Sequence, residues 1–168
     1  MGYEEAGEGM VEMKTISLWT LWAILIALKL KKIETRSWKA PDYLIGQRIA
    51  IHATKTMPKW AQELCWSEPF RGILLKHGFL MSFFNWPFGK VVATARLVDC
   101  SKVIEESAYP PGESVLLENG MYVMGNELSF GDYTIGRYAW ILEDIQALKE
   151  PITAKGMQGL WEWKEESS

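Results

Sequence analysis

Lys31-Lys32-Ile33-Glu34-Thr35-Arg36-Ser37-Trp38 sets three cations, a carboxylate and an indole within eight residues. Ile33, Thr35 and Ser37 alternate with Glu34, Arg36 and Trp38, the period-two pattern of an extended strand over residues 33–38. Side chains two apart on a strand share a face, so Lys32, Glu34 and Arg36 line up together. That grouping can bind an anion and offer a carboxylate as base or acceptor. It can equally be an intra-strand ion-pair ladder, worth under about 1 kcal/mol at a surface. Composition does not separate the two readings.

Just upstream lies the longest apolar run, residues 18–28, which stops at Lys29. About 20 apolar residues are needed to span a bilayer, so this run is too short. It reads as a buried helix with Ser17 as N-cap and Lys29, Lys31 and Lys32 near its C-terminal end. Downstream, Gln47-Arg-Ile-Ala-Ile-His52-Ala53 is a strong strand pattern. Between Lys29 and Lys59, eight cations face only Glu34 and Asp42, a local charge of +6 in a chain of net charge -3. A basic segment on an acidic protein suggests an anion-binding face. Trp22, Trp38 and Trp60 interleave with it, and basic groups beside aromatic plates suit a nucleobase with its phosphate.

The remaining chain gives a sequence of short elements. Residues 14–18 read as a short strand, 41–46 as a turn, 57–66 as a helix opening at Pro58 and 68–78 as a second helix ended by Gly78. Residues 79–89 are aromatic and ambiguous, either a lid on the core or a docking patch. A strand follows over 89–100, then a helix or loop over 101–120 broken by Pro110-Pro111-Gly112. Residues 138–145 are another strand and 151–163 a short terminal segment. Short helices between strands, with no βαβ rhythm and no Gly-rich phosphate loop, suggest a small mixed barrel. Residues 1–13 read as a flexible acidic tail, 14–163 as a single domain and 164–168 as a second tail.

The 168 residues are 48% hydrophobic and 23% charged, with mean hydropathy -0.07, which excludes a disordered or collagen-like chain. Cys65 and Cys100 make no disulfide framework, and neither has a ligand partner at zinc spacing. Residues 1–13 hold four Glu and no apolar run. The expectation is therefore a cytoplasmic protein with reduced thiols, needing no metal or cofactor. Nine Trp is high for this length, and because a buried indole N–H needs a partner, some are expected to line a groove. His52 closes a strand beside Lys55, where a histidine is either a structural hydrogen-bonder or a site residue.

The pieces Ser17-Leu18-Trp19 with Trp22, Lys32 to Trp38, Ile49-Ala50-Ile51-His52-Ala53, Gly136-Arg137-Tyr138-Ala139-Trp140 and Lys155-Gly156-Met157-Gln158-Gly159-Leu160-Trp161 occur in order. In that order they resemble the ASCH domain proteins of the PUA-like superfamily, from about Lys14 to Trp163. The resemblance implies an α+β fold, a β-barrel of five to six strands with flanking helices. It implies a groove lined by residues 18–28 and 34–38, with Ser17 at its mouth. PUA-like relatives bind RNA or modified bases, and some ASCH members are nucleic-acid binders or ribonucleases. One branch hydrolyses N4-acetylcytidine with a Lys, a Thr three residues on and a downstream Glu. Matched through Arg36, the Lys falls on Lys31 and the Thr position carries Glu34. The downstream Glu falls among Glu105, Glu106 and Glu113.

The expected function is binding of RNA or a modified nucleoside or nucleotide by a monomer with no membrane contact. A base would stack on Trp22 or Trp38, with Trp19 nearby, and its edge would meet Glu34 or Gln158. Arg36, Lys55 and Lys155 would hold phosphate, with Lys32 and His52 beside them. A hydrolase is the second expectation, with Lys31 and Glu34 as catalytic groups and Lys32 and Thr35 as further candidates. An interaction module using residues 79–88 is the third.

Overall fold

The computed structural model describes residues 4–5, 10–79 and 81–166. Its strands are β1 (Glu4–Glu5), β2 (Met10–Leu18), β3 (Ile33–Arg36), β4 (Arg48–Ala53), β5 (Lys90–Ala108), β6 (Pro111–Leu117), β7 (Tyr122–Met124), β8 (Tyr138–Thr153) and β9 (Leu160–Glu166). The helices are α1 (Thr20–Ala27), α2 (Lys59–Leu64), α3 (Phe70–Lys76) and α4 (Gly125–Ser129). The main ladder runs β9-β2-β4-β5-β8-β3, with only β2 and β4 parallel. β6 and β7 branch from the far half of β5. The α+β class is as expected, but among the described strands this ladder does not close into a barrel. The edge strands β9 and β3 pair on one side each.

Helix α1 explains why its sequence is apolar without a stripe. A helix hydrophobic on every side must be covered on every side. Ala23 and Ile26 face the sheet core with Ile16, Ile51, Trp140 and Leu142. Leu21, Ile24 and Leu25 face a second cluster built by α2, α3, Trp86 and Phe130. The helix is shorter than the apolar run, because Leu18 still belongs to β2. Its N-cap is Trp19, with no side-chain cap bond, which corrects Ser17 as cap. Its C-terminus closes as a Schellman motif. Lys29 takes φ 64, its N–H bonds to the Ile26 carbonyl, and the Leu30 N–H bonds to that of Leu25. This reversal sends Lys31 back beneath the helix.

Several boundaries differ from the sequence pattern. β2 starts at Met10 rather than 14, because Met13 is buried opposite Trp163, and β9 reaches Glu166. β3 ends at Arg36, so Ser37 and Trp38 lie beyond it. α2 is confined to Lys59–Leu64, with Pro58 as its N-cap. Residues 101–120 form no helix. β5 continues to Ala108 and turns into β6, burying Val103 against Val115, Leu117 and Val123. Residues 79 and 81–89 are irregular and act as a lid: Trp86 is buried, and Phe79, Phe83 and Phe88 pack on the second cluster. Phe84 alone of these rings is strongly exposed, at 88%. Among the described residues no helix is long and apolar enough to cross a membrane.

Candidate functional site

The parallel pair β2 and β4 ends in register, Ser17 opposite His52 and Leu18 opposite Ala53. Beyond these ends the chain departs into α1 on one strand and toward Lys55 on the other. β3 runs alongside, and the β8–β9 connection passes over them. Together they line an open cavity of about 1320 Å³. Trp19, Trp22, Trp38 and Trp60 line it, whereas Trp86, Trp140, Trp161 and Trp163 are buried. Four indoles therefore serve the cavity wall and four the core, with Trp66 exposed outside both.

The cavity brings together Ser17, Trp19, Trp22, Glu34, Arg36, Trp38, His52, Lys55, Lys155 and Gln158 from distant parts of the chain. It leaves out Lys31 and Lys32. Lys32 precedes β3 and is exposed, so it does not share the strand face of Glu34 and Arg36. Lys31 is fully buried behind the wall, and its Nζ donates to the Phe130 carbonyl at 2.7 Å. The Nζ lies 3.6 Å from Glu34 Oε1 and 5.5 Å from the centre of the Trp22 ring. Burial pushes its pKa below the usual lysine value, against the opposing pull of Glu34 and Glu127. The basic segment is not one patch either. Lys39 pairs with Asp42, Lys59 with Glu63 and Arg48 with Asp144, and only Arg36 and Lys55 of that segment reach the cavity.

Glu34 is the polar centre of one end. It is 9% exposed, and its Oε1 accepts from the Thr35 N–H at 3.1 Å as well as facing Lys31. Oε2 lies 3.7 Å from Arg36 Nη2 and accepts no hydrogen bond from a described residue. Arg36 Nη2 donates to the Ser17 carbonyl at 2.8 Å, and the guanidinium carbon lies 5.9 Å from the Trp38 ring centre. Its Nε–H is buried without an acceptor among the described residues. Burial also lowers the Arg36 pKa, opposed by Glu34.

The same end holds residues that the sequence reading missed. The Arg137 side chain donates through Nε to the Asp132 carbonyl at 3.0 Å and through Nη2 to the Thr35 carbonyl at 3.2 Å. The Asp132 N–H donates to Thr35 Oγ1 at 3.2 Å, so Thr35 anchors this loop. A hydrogen bond from the Thr134 hydroxyl, chief among several causes, holds the Asp132 carboxyl below the usual range. Glu127 accepts the backbone N–H groups of Lys32 and Ile33, and burial raises its pKa. The sequence signal for Arg137 is the Gly136-Arg137-Tyr138 piece at the start of β8. Glu127 had no signal, because α4 is too short to show a period. Glu105, Glu106 and Glu113 lie on the exposed β5–β6 hairpin, away from the cavity.

Ser17 and His52 form a clasp. His52 Nε2 lies 2.8 Å from the Ala154 carbonyl, which only accepts, so Nε2 carries the proton. In the neutral ring Nδ1 then accepts from the Ser17 hydroxyl at 3.0 Å, while Ser17 Oγ accepts from Trp161 Nε1–H at 3.0 Å. Each of these polar atoms is satisfied within the protein, and the result ties β2, β4 and the β8–β9 connection together. Gly156 lies on the clasp: a Cβ there would sit 2.6 Å from His52 Cε1 and 2.9 Å from Ser17 Oγ.

A crystal structure of a ZmASCH mutant protein from Zymomonas mobilis matches with a TM-score of 0.42 and 19% identity, over 83% of this chain and 72% of that one. No protein-family model matches the chain, and no curated protein does.

Proposed function

We propose that this cavity binds a nucleobase, presented by a nucleoside, a nucleotide or a flipped-out residue of RNA. The observation that carries the reading is Glu34. A carboxylate at the wall of an aromatic cavity, with Oε2 paired to Arg36 but accepting no hydrogen bond from a described residue, has room for an N–H donor from a ligand. A base with an amino or imino group supplies that donor at its edge and a flat face for an indole. Trp38 stands beside Arg36, and Trp22 forms the adjoining wall. Lys31 and Arg36 face Glu34 from two sides.

The test is titration calorimetry of the four common nucleosides, their acetylated and methylated forms, and short RNA. At least one is expected to bind with micromolar to millimolar affinity. Glu34→Gln should weaken it by about ten- to a hundredfold, the range for a hydrogen bond to a charged group. Trp38→Ala should cost about 1–3 kcal/mol of stacking. No binding across the panel at millimolar concentration, with the protein folded, would overturn the reading. Mass spectrometry of the same mixtures reports any product and separates a binder from a hydrolase.

A further inference from the structure

The charges of the cavity divide into two groups. At the β3 end, Arg36 faces Glu34 and Arg137 faces Asp132, so each cation there has a carboxylate partner. At the other end, Lys55 and Lys155 line the wall, and neither enters an ion pair among the described residues. The backbone joins these two lysines. Gly89 N–H bonds to the Ala53 and Thr54 carbonyls, Ala154 N–H bonds to the Gly89 carbonyl, and the Gly89 position lies against the Lys55 side chain.

The segment that follows Ala154 adds donors. Residues 155–159 all line the cavity between the end of β8 and the start of β9. The backbone N–H groups of Lys155, Gly156, Met157 and Gln158 donate no hydrogen bond to a described residue. Successive N–H groups with no partner in the fold, beside lysines, are a donor set that suits an anion. The clasp beneath holds the segment in place, since Ala154 is bound by His52 and Gly156 rests on it.

We infer that residues 155–159 together with Lys55 form a phosphate subsite, opposite the Glu34 end of the cavity. The occupant is then a phosphorylated ligand, with its base at Glu34 and its phosphate at Lys55 and Lys155. Only the placing of the base rests on the function proposed above; the anion site stands on its own donors. Arg36, whose charge is matched by Glu34, is not a phosphate ligand in this arrangement. The phosphate is a monoester of a free nucleotide or a diester of RNA, and the chemistry of recognition is the same for both.

Calorimetry on the full chain tests this with nucleosides, their 3′- and 5′-monophosphates, dinucleotides and tripolyphosphate. A monophosphate or a dinucleotide should bind at least about tenfold more tightly than its nucleoside. The gain should shrink with added salt. A double variant, Lys55→Ala with Lys155→Ala, should lose this gain while keeping the affinity for the nucleoside. Both lysines are exposed, so the variant should melt with the parent. The form that shows the lysine-dependent gain identifies the source, monoester or diester. Equal binding of nucleoside and nucleotide, or a gain that survives the double variant, overturns the inference and leaves the nucleobase reading standing. Lysine-dependent binding of tripolyphosphate without binding of any nucleoside or nucleotide supports the subsite and overturns the nucleobase reading.

Discussion

A lysine removed from water needs acceptors, and Lys31 has the Phe130 carbonyl and Glu34 Oε1. Its side chain supports the site from behind by pairing with Glu34 and by pinning the loop that follows α4. Lys31→Met keeps the volume but leaves a buried carboxylate with one cation fewer and the Phe130 carbonyl unpaired. Breaking a buried pair in this way costs about 3–5 kcal/mol. The pH dependence has a definite sign. Burial lowers the folded pKa of Lys31, so between that value and 10.5 the unfolded chain binds more protons. Stability from this group therefore rises with pH across that window. Urea titrations from pH 7 to 10 should show the parent gaining on Lys31→Met as pH rises. A gap that narrows would show that Lys31 is not held against its charge. The motif around Glu34 was legible in the sequence because strand alternation places Glu34 and Arg36 together. The withdrawal of Lys31 was not, because it depends on the left-handed turn at Lys29, a residue type that rarely takes φ 64.

At the scale of elements, the long strands were harder to read than the short ones. β4 was plain, since Ile49, Ile51 and Ala53 are buried in a run of apolar residues. β5 runs past its apolar half because Val103 alone of that stretch finds a core, while Glu105 and Glu106 face solvent. A one-sided strand at a hairpin leaves little pattern in a window of eight residues. The β8–β9 connection showed no periodic element in the sequence, but its Lys155 and Gln158 were expected at the ligand, and the segment forms a wall of the cavity. Gly156 is the position that sets its height. It is not in the left-handed region, so alanine there meets a problem of space alone. The imidazole it would strike is fixed at both nitrogens and cannot swing aside. Gly156→Ala should lower stability by about 1–3 kcal/mol, the cost of overpacking. It should also reduce the advantage of a nucleotide over its nucleoside, because the segment must lift. Thermal melting and calorimetry on the same sample check both, and a variant unchanged in each would show that the segment is not seated on the clasp.

The whole molecule is organised around α1, which has the sheet on one side and the α2–α3 cluster on the other. Net charge and the +6 segment say little about this, since most of those cations are paired or turned away from the cavity. The apolar run says more: a helix with no polar stripe has to be inside, so two bodies of core must meet on it. Trp22 packs against both clusters and touches Phe70 edge-on, with ring centres 5.4 Å apart. If α1 couples the two halves, they cannot unfold separately, because losing either exposes one face of the same helix. Urea unfolding followed by Trp fluorescence and by far-UV circular dichroism should then give one coincident transition. Trp22→Ala should shift that transition by about 3 kcal/mol, near the lower end for truncating a packed indole, and leave it single. The backbone of α1 still carries Ala23 and Ile26 into one cluster and Leu21, Ile24 and Leu25 into the other. A parent protein whose fluorescence and dichroism separate would mean that the α2–α3 cluster is an appendage, and that the cavity wall given by Trp60 and Phe88 opens independently of the sheet.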